Sequence, residues 1–379
     1  MLGHVCGGAV RAACYSPCGT FVALTRADTE VHVMNSTTED VKFILKDMHK
    51  KSIISLAFSP DGKLLAQGSK DNSATVTDLE TGKLLCSVAE HDGAALHNAQ
   101  ICAVGFSADS SLLLLGSADG AASLVDARSG ELRHKLEGTH ERWIRAVDFS
   151  PDGQWAMLGC DDNTASVWNV DTGKIQCQVG KHKKGIMAVR FTQDCSGCDR
   201  LFLGSADKTV SVYDASQLAS GKCEELFRAD CKHTDGVIWS MNFSADGRRV
   251  VLGSSDSVVS VVELPTKDEV GDTQTVKNLL TLQGIHADGI TAASFSPNGQ
   301  RIVTGSGTAA KTASVHYLPT FYDKNAGVAA AVRAPSNYPA CWVGGGHGAC
   351  NVVRGVQCRA ASPGTRRESR QEVHPCGRH

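Results

Sequence analysis

Residues 139–174, T-H-E-R-W-I-R-A-V-D-F-S-P-D-G-Q-W-A-M-L-G-C-D-D-N-T-A-S-V-W-N-V-D-T-G-K, hold three short apolar runs separated by turn residues, and this pattern returns along most of the chain. The runs 144–149, 154–158 and 165–170 are each strand-length. Between them, Ser150-Pro151-Asp152-Gly153 and Asp161-Asp162-Asn163 carry turn chemistry, so the unit reads as an antiparallel meander. One such unit cannot bury both of its faces. It must stack on copies of itself, and the copies can be anchored on the aromatic that ends each first run: Tyr15, Phe58, Phe106, Phe149, Phe191, Phe243 and Phe295, at steps of about 42 to 52 residues.

Three signals recur around these anchors in a fixed order. A His precedes each first strand, at positions 4, 49, 91, 140, 182, 233 and 286. A tight turn follows it, as Ser59-Pro60-Asp61-Gly62, Ser244-Ala245-Asp246-Gly247 and Ser296-Pro297-Asn298-Gly299, in which Pro presets φ and Gly supplies a positive φ. A second turn then ends in Asp, at Asp71, Asp119, Asp162, Asp207 and Asp256; the first copy keeps only Asp28, and the seventh has Thr308 there.

This pattern resembles the WD-repeat family of β-propellers over about residues 1–320. The resemblance implies a buried hydrogen-bonded network of His, Ser or Thr, Asp and Trp in each repeat. His140, Asp162 and Trp168 match it, with Leu158 in the position taken for the hydroxyl on the second strand. His49, Asp71, His91, Asp119, His182, Asp207, His233 and Asp256 are the structural partners expected elsewhere. The expected fold is all-β: a seven-bladed β-propeller of four-stranded antiparallel blades over residues 1–334, closed by residues 1–5 or by a segment after Tyr317 such as 328–333. Residues 335–379, with six Arg, two Glu and no strand or helix periodicity, are expected to form a disordered basic tail.

The charge leaves no polyanion or membrane footprint: the net value is −2, split as about +4 on the tail and −6 on the body. Without a charged, apolar leader or an apolar stretch of about 18 residues, the expected address is the cytoplasm, or the nucleus by association. The fifteen Cys are scattered through a large domain, which suits reduced core thiols. Cys195-Ser196-Gly197-Cys198, the one C-x-x-C, lacks a second pair or a His at zinc spacing and reads as a loop insertion, so no metal and no cofactor are expected.

Catalysis needs one convergent site, whereas here His and Asp recur once per repeat, and neither a nucleophile elbow nor a phosphate loop is found. His97 lies outside the frame without a recognisable partner. The expectation is a non-enzyme, a monomeric propeller that serves as scaffold or adaptor for other proteins or peptides within a hetero-complex, with no direct nucleic-acid binding. In the family, one rim commonly receives partners. Carried over by offset from the anchors, its positions are Arg11, Ile54, Cys102, Arg145, Met187, Trp239 and Thr291, with Trp143, Val237, Lys70 and Asp161 beside them. Arg145, Trp143 and Trp239 are the expected hot spot, because Arg and Trp dominate interface energies. A second reading rests on Val125-Asp126-Ala127-Arg128, which looks like the W-D-x-R element of propellers that act as substrate receptors of cullin-RING ubiquitin ligases.

Overall fold

In the computed structural model, which describes residues 11–25, 29–36, 38, 40–193, 199–231, 236–265, 276–306 and 313–318, the three apolar runs of the meander are joined by a fourth strand, as the expected four-stranded unit requires. Residues 144–179 run as Ile144–Phe149, Trp155–Cys160, Ala165–Asn169 and Ile175–Val179, paired antiparallel in that order. The Ser-Pro-Asp-Gly turn closes the first hairpin as its chemistry demands. Gly153 sits at φ 75°, its N–H donates to Ser150 O at 2.9 Å, and Ser150 N–H donates to Trp155 O at 2.8 Å. The first three strands are almost wholly buried. The fourth is exposed or half-buried except at Val179, which is why no apolar run announced it.

Seven sheets follow one another along residues 13–45, 53–88, 101–136, 144–179, 186–230, 238–282 and 290–317. Six have four strands, and the seventh has three among the described residues. From the first sheet to the seventh, the first strand of each touches the first strand of the next, and the second strand of each touches it too. The core is therefore distributed between sheets. Ala103, Leu114 and Leu124 of the third sheet join Ile144, Phe149 and Trp168 of the fourth, and the other junctions carry clusters of the same kind. A recurring Gly on the second strand permits that approach. A Cβ on Gly159 would lie 2.7 Å from Val189 Cγ1 and 2.8 Å from Ile186 Cγ2 of the next sheet, and one on Gly116 would lie 2.7 Å from Ile144 Cγ2.

The polar frame corrects two expectations. The hydroxyl of the network stands on the third strand, at Ser166, and not at Leu158, a buried core residue. Trp168 Nε1–H donates to Ser166 Oγ at 2.7 Å, Ser166 lies 2.8 Å from His140 Nε2, and His140 Nδ1 lies 2.6 Å from Asp162 Oδ2. The carboxylate can only accept, so the His140 Nδ1–H donates to it, and the network is complete in this sheet. In the third sheet His97, not His91, fills the place. It is 2% exposed, 3.2 Å from Asp119 Oδ2 and 2.7 Å from Ser123 Oγ.

His91 is exposed, because Asp92 and Gly93 take positive φ values of 52° and 77° and turn Glu90–His91 back on Ala94–Ala95 as a small hairpin. His49 pairs with Asp71 at 3.2 Å and Thr75 at 2.9 Å, and His182 with Asp207 at 3.1 Å and Ser211 at 2.7 Å. In the seventh sheet His286 Nε2 lies 2.9 Å from Thr304 Oγ1, here on the second strand. Burial pushes His49 below the usual imidazole range and both His286 and His316 down to about 4. For Asp71, Asp119, Asp162 and Asp207 burial works upward, but hydrogen bonds from the His partners, Ser73, Thr164, Thr209 and backbone N–H groups outweigh it and hold the carboxyls low.

The fifth sheet's fourth strand, Glu224–Asp230, is entered through a 3-10 turn at Leu218–Ser220. His4, Asp28, Cys195, Cys198, His233, Thr308, the closing segments and the tail 335–379 lie outside the described residues.

Candidate functional site

The rim positions read from the sequence share a structural cause. In every sheet from the second to the seventh, the ladder between first and second strands shifts register by one residue near its start. The residue passed over is Ile54, Cys102, Arg145, Met187, Trp239 or Thr291. Such a bulge frees one residue from the ladder and re-aims its side chain, so each of these sheets sets one side chain on the rim without disturbing the pairs on either side. The turns after the second strands close onto the same rim. Asp161 N–H donates to Trp143 O at 3.0 Å, Lys70 N–H to Ser52 O at 3.0 Å, and Ser255 N–H to Val237 O at 2.9 Å.

These contacts assemble the expected hot spot at the fourth sheet. Arg145 Nε and Nη2 each reach Asp161 Oδ2 at 2.8 Å, and the guanidinium carbon stands 4.3 Å from the centre of the Trp143 ring. The Arg is thus clamped between a carboxylate and an aromatic face, an ordered arrangement that leaves Trp143 40% exposed. Trp239 stands two sheets on and is 44% exposed, its ring laid against Gly289, just before the seventh sheet, with Val237 at 46% beside it.

Among the described residues, the large apolar side chains that remain exposed fall into two groups. Val41, Ile44, Leu84, Leu85 and Ile175 line outer fourth strands, and Trp143, Val237 and Trp239 stand on the rim. Arg11 is exposed, while Ile54, Lys70, Met187 and Thr291 are half-buried. Cys102 is buried, which removes it from the accessible ring.

Two clusters outside the rim have structural explanations. His140, Cys160 and Asp162 bring ligand-type atoms within 4.8 Å of one another. Cys160, however, occupies the place of Ser117 and Ser205 in the neighbouring sheets and donates likewise to the preceding loop, here to Arg142 O at 3.3 Å. Burial pushes its thiol up to about 12, so it keeps its proton for that bond.

Asp126 of the V-D-A-R element accepts N–H bonds from Arg128 at 3.0 Å and Ser129 at 2.9 Å, capping a turn as Asp78 does with Glu80 and Thr81 in the second sheet. The motif is accounted for by its turn. Asp148 escaped the sequence reading. It is fully buried between the fourth and fifth sheets, accepts Phe191 N–H at 2.8 Å, and is pushed up to about 6 by burial against the opposing pull of Arg190.

Comparison with known families agrees with the repeat. Residues 13–97 match the family described as "Anaphase-promoting complex subunit 4 WD40 domain", and residues 130–169, 223–262 and 277–311 match "WD domain, G-beta repeat". Each of the latter segments begins at or just before the outer strand of one sheet and runs into the next, so the sequence repeat straddles two sheets and laces them together. No curated protein matches the chain.

Proposed function

Because the chain belongs to the WD-repeat β-propeller family, we propose that it is a non-catalytic scaffold whose bulged rim receives a partner protein within a larger assembly. The observation that carries this reading is the Trp143–Arg145–Asp161 cluster, an aromatic and a guanidinium held rigidly at the surface although the frame does not need them exposed. Pre-ordered anchors lose little conformational freedom on binding, which is the property of an interface hot spot. Val237 and Trp239 extend the apolar surface toward the seventh sheet. The description matched by residues 13–97 names a subunit of a complex, which supports a place in a hetero-assembly.

The test is affinity purification with mass spectrometry to find the partner, followed by Arg145→Ala and Trp239→Ala in the full chain. Each replacement is expected to weaken binding by about 2 kcal/mol or more, roughly thirtyfold. A partner that binds the double variant as tightly as the unaltered chain would refute the rim as its site.

A further inference from the structure

The fourth and fifth sheets meet at their outer edge through two sulfurs. Cys177, on the fourth strand Ile175–Val179, has its Sγ 2.8 Å from that of Cys223, which immediately precedes the strand Glu224–Asp230. Both are half-buried against the cluster that holds Trp155, Tyr213, Ala215 and Leu218.

The backbone on each side is fixed independently of the thiols. Gln176 Nε2 donates to Leu218 O at 2.7 Å and to Ala219 O at 3.1 Å, Leu218 is buried, and the 3-10 turn ends on Gly221 at φ 77°. The chain then returns to set Cys223 beside Cys177. Of the other described thiols, Cys102, Cys160 and Cys231 are buried, Cys86 is directed to Ala127 O, and Cys18 contacts Ser16 and Thr20.

We propose that Cys177 and Cys223 are an oxidisable pair, joined as a disulfide between adjacent blades by a low-molecular-weight disulfide of the glutathione type. The two thiols share a hydrogen bond in which either can donate, so either can attack first. With Cys177 leading, its thiolate attacks one sulfur of the oxidant, and the departing thiolate takes up the proton that Cys177 lost. Cys223 then loses its own proton, attacks Cys177 Sγ and expels the second small thiol. Two protein thiols and one small disulfide become one protein disulfide and two small thiols, with two electrons passed to the oxidant. The bond closes a loop between residues 46 apart and so restricts the unfolded chain.

The experiment exposes the full chain to glutathione disulfide, blocks free thiols with iodoacetamide and digests it with trypsin without reduction. The segments Ile175–Lys181 and Cys223–Arg228 are expected as one linked species that separates on adding dithiothreitol. The oxidised chain is expected to melt at a higher temperature than the reduced one, a difference absent from Cys223→Ser. If the two segments are recovered separately, each alkylated or each carrying glutathione, the proposal is overturned. The mapping on the unaltered chain decides this even where a Ser variant folds poorly.

Discussion

At the scale of single residues, the frame depends on side chains whose spacing matters more than their type. His49, His97 and His140 each stand 22 residues before their Asp, and Thr75, Ser123 and Ser166 each stand 26 residues after their His. Those two intervals single out His97 and the third-strand hydroxyls in the sequence itself. His91 opens the third copy in the way the other His open theirs, and the Asp92-Gly93 hairpin that displaces it has no counterpart among the described residues of the other sheets.

The distinction is measurable. His97→Ala leaves Ser123 and Asp119 without their imidazole and should lower the unfolding free energy by about 2–3 kcal/mol in a urea titration, while His91→Ala stays within about 0.5 kcal/mol. Equal effects would return His91 to the frame. Asp148 shows the opposite difficulty: nothing in I-R-A-V-D-F says that the carboxyl turns inward to meet the next sheet, since its partner, the Phe191 N–H, lies 43 residues away.

Elements were more legible than residues. The turns at Ser59–Gly62, Ser150–Gly153 and Ser244–Gly247 fix where first hairpins reverse, and the apolar runs mark first, second and third strands because those strands are buried. Fourth strands were obscure because water covers them, as the exposed residues of Val41–Leu45 and Leu84–Val88 show. The second-strand Gly tests the stacking directly. Gly159→Ala adds a methyl where Val189 and Ile186 already stand, and is expected to destabilise the protein by about 1–3 kcal/mol in calorimetry or urea titration. A neutral result would mean that the fourth and fifth sheets are not packed as closely as described.

For the molecule as a whole, the buried imidazoles make stability depend on pH. His49, His286 and His316 are held neutral in the fold, so the unfolded chain takes up their protons first as pH falls from about 6.5 toward 4, and stability is lost over that window. Asp148, raised to about 6, works in the other direction between about 6 and 4, because its protonated form suits the interior. Three groups oppose one, and urea midpoints should therefore fall between pH 7 and pH 4.5; a flat or rising profile would contradict this protonation scheme.

The register shifts carry a consequence for how such a protein acquires its ligands. Each passed-over residue stands outside the ladder, so its side chain can be exchanged while its neighbours keep their partners. A library randomised at positions 54, 145, 187, 239 and 291 should therefore yield mostly folded proteins with new tastes, making recognition a text that can be rewritten on unchanged paper.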